Sequence, residues 1–220
     1  MNFQESYEKY LVVTESNGTT DKLSTDKGRY AIMYNIAQNK VVEWLIESNG
    51  NDENRYIQSI KVPYLNLIAT TTTTDYQPFT LPENYFDHIN LKVLATSGSC
   101  QNKRIKAQEV KAEDVHNLYD DANSEPSFKY RETFYTISKN AVQVFKKNFT
   151  VTTAELNYYK YPTQITLQDP NNPESQFNTQ DLDFDDKLIN RIIFMTASLH
   201  SLSSDDPKYQ AFKQETIQKF

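Results

Sequence analysis

From Ser24 to Asn49 the apolar residues Tyr30, Met33, Ala37, Val41 and Trp44 recur at steps of three and four, with Tyr34 and Leu45 widening the stripe. That spacing places them on one helix face and predicts a single long helix. Ser24 is placed to cap the free amides of its first turn, and Asn49-Gly50 supplies the left-handed residue that ends a helix. At about 1.5 Å per residue it would run roughly 38 Å, enough to cross a small domain. A second stripe, Leu188, Ile192, Met195, Leu199 and Leu202 with Ile189 and Ile193 beside it, predicts a helix over 183–203. Asp183, Asp185 and Asp186 crowd its start and complement the positive end of the helix dipole. Shorter helices are expected over 3–13, with Phe3, Tyr7, Tyr10 and Leu11 on one side, and over 112–121. Residues 55–61 add a turn or two before Pro63, and Asp206-Pro207 opens a last helix carrying Tyr209, Phe212, Ile217 and Phe220.

Between the two long stripes the texture changes to short apolar runs and turns. Strands are expected in 60–69, the threonine tract 70–76, 91–98, 104–110, 128–137, 141–146 and 154–162, with Ser138-Lys139-Asn140 as a hairpin loop. Turn signals about every ten residues point to a small antiparallel β-sandwich or barrel-like domain. The expected class is therefore α+β: a discontinuous helical domain, 1–62 and 182–220, with a β-rich domain, 63–181, inserted between its halves. The two amphipathic stripes lack local partners, and packing on each other is the cheapest way to bury both.

About a third of the chain is apolar once tyrosine is set aside and glycine added, below the roughly 45–50% of an ordinary globular domain. The 12 Phe and 15 Tyr argue against disorder and for a folded chain with a polar, tyrosine-rich surface suited to assembly. A net charge of −6 argues against general affinity for nucleic acid, and it suits a wall past which DNA slides. One cysteine, Cys100, excludes an internal disulfide framework. No apolar run approaches a membrane span, and the first ten residues lack the pattern of a secretion signal, so synthesis in the cytoplasm is expected.

Chemistry-bearing motifs are few. Gly18, Gly28, Gly50 and Gly98 are too far apart for a phosphate-cradling loop. His88, His116 and His200 lie in separate elements without metal-ligand spacing. Asp181, Asp183, Asp185 and Asp186 begin like a calcium loop, but Asp186 stands where glycine is needed and Ile192 where the bidentate glutamate belongs, so helix capping is the better reading. Cys100 has no neighbouring base and no nucleophile elbow. The aromatic runs 128–135 and 158–162 read as core strand faces before they read as a platform for sugars or bases. No catalytic residue, cofactor or metal is expected.

Several stretches together resemble the ring proteins of the head-to-tail region in tailed bacteriophages, crAss-like phages in particular: STDKGRYAIMYNIAQNKVVEWLIE, RYIQ, LPENYFDH, SGSCQNKRI, EPSFKYRETFY, YYKYP and LDFDDKLINRI, spanning roughly 24–195. The resemblance implies a non-enzymatic virion adaptor, made in the host cytoplasm. About twelve copies would form a ring that joins the portal to neighbouring tail ring proteins and encloses the DNA channel without binding DNA specifically or meeting a membrane. A head-to-tail ring needs two different lateral surfaces, and Arg29, Asn35, Gln38, Asn39 and Glu43 on the polar face of the long helix are candidates for one. The loop 163–181 and the thread 70–79 are long for a compact fold, as expected of segments that order on a neighbour. Another tail or head accessory protein, or a carbohydrate-binding β-sandwich module, is the alternative.

Overall fold

In the computed structural model, which describes residues 1–16, 26–48 and 55–203, the long helix α2 spans Lys27–Glu47. Asp26 caps it, its carboxylate accepting from the Arg29 amide at 2.5 Å. Ser24, the Asn49-Gly50 stop and the helix expected after Asp206-Pro207 lie outside the described residues. Among the described residues the other α-helices are α1 (Phe3–Ser16), α3 (Val115–Asp120) and α4 (Asp186–Ser203). The expected helical turns over 55–61 reduce to one 3-10 turn at Gln58–Ile60. The chain divides into two compact units, one drawn from Met1–Ile60 and Pro162–Phe220, the other being Lys61–Tyr161.

In the first unit α4 packs against α1 and α2. The buried face of α2 is Tyr30, Ala31, Tyr34, Ala37, Gln38, Val41, Val42 and Leu45, while Met33 and Trp44, expected in the stripe, are half-buried. The face is turned because Gln38, a polar residue, occupies its middle. The same shift affects α4, where Thr196, Ser198 and His200 are buried and Met195 and Leu199 only half so. Aliphatic residues are supplemented at the centre by aromatic ones. The Tyr30 ring lies 5.1 Å from Tyr7, 4.9 Å from Tyr10, 5.7 Å from Tyr34 and 6.1 Å from Phe177, centroid to centroid. Tyr30 donates to Ser6 Oγ at 3.0 Å, Ser6 donates to the Phe3 carbonyl at 2.8 Å, and Tyr10 hydrogen-bonds to His200 Nδ1. The tyrosine-rich surface expected from composition is thus partly a tyrosine-rich interior: Tyr10, Tyr30 and Tyr34 are fully buried, whereas Tyr64, Tyr130 and Tyr161 are exposed. Each buried hydroxyl raises the demand for a polar partner, and among the described residues the Tyr34 hydroxyl has none.

The second unit is one sheet of eight strands: β1 (Lys61–Asn66), β2 (Ile68–Ala69), β3 (Tyr76–Thr80), β4 (Tyr85–Ser97), β5 (Cys100–Glu109), β6 (Glu132–Ser138), β7 (Ala141–Phe145) and β8 (Thr150–Lys160). Their order is β1-β8-β4-β5-β6-β7-β3-β2. Both edges therefore belong to one run of chain that changes partner at the buried Leu67, whose amide donates to the Ala154 carbonyl at 2.9 Å. The sheet curls until it nearly closes on itself, a barrel-like arrangement rather than a sandwich. Leu67, Phe79, Leu91, Val93, Ile105, Val142, Val144 and Leu156 fill its interior. Nor is it wholly antiparallel: β5 and β6 are parallel, and residues 110–131, including α3, make the long crossover that parallel neighbours require.

Local chemistry shapes the details. Pro63 cannot donate to a ladder, and it sits on edge strand β1 beside a break in register between Val62 and Leu65. Tyr64, at φ 55°, has its amide satisfied by Asn157 Oδ1 at 2.6 Å. Gly98 takes φ 57° at the first of two loop residues between paired Ser97 and Cys100, fitting a type II′ hairpin turn. The β6–β7 loop is Lys139-Asn140, closed by the Ser138–Ala141 pair. The threonine tract is not a strand; β3 begins after it, at Tyr76.

Candidate functional site

One side of α2 is occupied by the chain's own return from the β unit. Asn35 holds Ile165 as a neighbouring strand would, donating to its carbonyl at 2.9 Å and accepting from its amide at 2.8 Å. Gln38 donates to the Thr163 carbonyl at 3.1 Å, and Asn39 accepts from Gln164 at 3.4 Å. Nearer the helix start, Gly28 donates its amide to the Pro173 carbonyl at 3.1 Å, and a side chain there would meet Pro173 at 3.2–3.3 Å. Asp183 accepts from the Thr163 amide at 2.6 Å, and Asp185 caps α4 by accepting from Leu188 at 2.8 Å. The loop 163–181 is therefore fixed within its own unit instead of waiting for a neighbour. Residues 162–181, grouped with the strands when the sequence is divided at 182, fall with the helices for the same reason.

Of the five residues expected to face a neighbouring copy, Asn35, Gln38 and Asn39 are engaged with this returning segment, and Gln38 is fully buried. Arg29 and Glu43 are exposed. Between them stand Ile32 and Ile36, one turn apart and 63% and 46% exposed. Their i, i+4 spacing, out of phase with the buried stripe, is legible in the sequence and marks an apolar strip on the outward face of α2. Replacing Asn35 with alanine is expected to cost about 2 kcal/mol, since two backbone groups of Ile165 lose their partners. A urea midpoint followed by the fluorescence of Trp44 measures it, and an unchanged midpoint would contradict the clamp.

A cleft of about 590 Å³ beside α1 is lined by Asn2, Gln4, Lys27, Gln176, Asn178 and Gln180, among others. Its amides neither take nor give protons near neutral pH, and Lys27 and Asp181 add one charged group of each sign to the lining. His88 on β4 lies 2.9 Å from Glu109 and 3.6 Å from Asp87. Hydrogen bonding to Asp87, with the charges of Glu109 and Asp87, holds its pKa above the ordinary histidine value against the desolvation that opposes it. Burial lowers the pKa of His200, assisted by the charge of Arg29. The signs are opposite: the His88 contribution to stability is complete at acid pH and lost as pH rises through its raised pKa, whereas His200 weakens its unit as pH falls below the ordinary histidine pKa. An NMR titration of the three imidazoles should find His88 titrating above 6.5 and His200 below it; the reverse order would refute both assignments. His116 sits apart on α3, and Cys100 is exposed at the start of β5. Among the described residues no group of three or more His, Cys, Asp and Glu is placed to hold a metal, and no helix is long and apolar enough to cross a membrane.

The aromatic runs divide between inside and outside. Phe134, Tyr135 and Tyr158 are buried, while Tyr130 and Tyr161 are exposed. Taken together, the elements define an α+β protein whose strands form a nearly closed, barrel-like sheet. No protein-family model matches the chain, and no curated protein matches it.

Proposed function

We propose that the protein is a ring-forming adaptor of a phage head-to-tail connector, a virion component that joins portal to tail and encloses the DNA channel. In this reading the helices from both ends of the chain make one domain that carries the β-rich one, and about twelve copies close head to tail. The resemblance of the stretches between 24 and 195 gives the reading its identity. The observation that carries assembly is the outward face of α2, where Ile32 and Ile36 stand exposed between Arg29 and Glu43. Apolar side chains bracketed by opposite charges, on a helix braced along one side by the returning chain, suit a lateral contact. The net charge of −6 supports a channel wall that passes DNA without gripping it.

Mixing the purified chain with its cognate portal and imaging the product is the test. A ring stacked on the portal is expected, and an Ile32→Glu/Ile36→Glu variant should remain folded by circular dichroism yet leave the portal bare. A wild-type chain that never joins the portal, or virions that lack this polypeptide, would overturn the reading.

A further inference from the structure

The charge of the chain is unevenly placed. Residues 61–161 hold 12 lysines and arginines against 11 aspartates and glutamates, whereas the rest holds 11 against 18. On the β unit, Lys92, Arg104, Lys106 and Arg131 line one depression of about 460 Å³. It opens where β5 parts from β4: their paired register ends at Lys92 opposite Lys106, and β5 is paired with β6 from Lys106 onward. Like charges placed directly opposite destabilise a sheet, so this pair has a cost in the isolated subunit. The Arg131 carbonyl accepts from the Lys106 amide at 2.8 Å, which brings a further cation to the rim.

Two carboxylates flank the cluster, Glu155 opposite Lys92 and Glu132 opposite Lys106. Among the described residues, none of the four cations comes within 4.0 Å of a carboxylate. Lys92 instead lies 4.0 Å from the centroid of the Tyr64 ring, which is 61% exposed. Exposed tyrosine and arginine are among the residues enriched at interface centres.

We propose that this basic depression receives an acidic surface of a second copy of the chain. The inference rests on the ring reading and supplies the second of the two lateral surfaces that head-to-tail closure requires. A second copy brings its acidic helical unit, with Glu43 and Glu47 exposed on α2, to meet these cations. Opposite charges then meet across the contact, and the Lys92–Lys106 repulsion is relieved by assembly.

The test uses the full chain, half of it carrying 15N, assembled on the cognate portal and coupled with a carbodiimide that joins lysine to carboxylate at zero length. Mass spectra should show Lys92 or Lys106 joined to a carboxylate of residues 1–60 or 162–203 in a differently labelled copy. An Arg104→Glu/Lys106→Glu variant, both sites exposed, should keep its circular dichroism and lose about tenfold in ring yield. Glu43→Lys/Glu47→Lys in the same chain should restore the yield. Rings that form normally from the reversed variant, or links confined to one copy, overturn this inference and leave the ring reading standing. Absence of any wild-type ring overturns both. Retention of duplex DNA by the wild type, abolished by the reversal, would assign the depression to nucleic acid and overturn the inference.

Discussion

Tyr30→Ala should unfold the helical unit at markedly lower urea, with a loss of about 3–5 kcal/mol, the range for truncating a large buried aromatic. Four rings lean on Tyr30: those of Tyr7, Tyr10, Tyr34 and Phe177. Its removal leaves a cavity that α1, α2 and residue 177 would have to close together. Its hydroxyl is a smaller matter. Tyr30→Phe keeps the ring and forfeits one hydrogen bond to Ser6, whose own bond to Phe3 remains, so about 1 kcal/mol is expected. Trp44, the only tryptophan, lies on α2 and reports the transition. Equal losses in the two variants would mean that the hydroxyl, and not the packing, dominates at this position.

The comparable change in the β unit is Leu156→Ala on β8, with an expected loss of about 2–5 kcal/mol. Leu156 is fully buried and stands opposite Leu65 on β1 and Leu91 on β4, so its side chain ties the edge run to the centre of the curled sheet. Leu156→Met conserves most of the volume and should cost under about 1.5 kcal/mol. Amide hydrogen exchange across residues 61–161 is the appropriate measurement, because the unit contains no tryptophan. Protection in β1, β8 and β4 should fall together in the alanine variant; loss confined to β1 would show that Leu156 secures only the edge.

Long-period features were the ones legible in the sequence. The apolar stripes of α2 and α4 run over several turns, so a misplaced residue or two cannot hide them. Their exact facing was less accessible because Gln38, Thr196 and His200 are polar yet buried. What makes burial of Gln38 tolerable is the Thr163 carbonyl, 125 residues away in the chain. The polar face carrying Asn35 and Asn39 reads as free for a neighbour because the segment 163–165 that covers it is distant along the chain. In the β unit, Pro78 leaves β3 inside the thread 70–79 in the sequence, and the polar stretch Asp87-His88 conceals the first part of β4. The parallel β5–β6 pair leaves no local trace, since nothing in either strand records the direction of its neighbour. Ile32 and Ile36, two isoleucines on the wrong side of an amphipathic helix, are legible without coordinates.

The pairing of Lys61 with Tyr159 puts the doorway by which the chain enters the β unit beside the one by which it leaves. Adjacent strands are about 5 Å apart, so the stretch begins and ends at nearly one point. A genetic exchange that swaps it for another strand-built module, or closes the gap with a few glycines, leaves the flanking backbone ends close enough to rejoin.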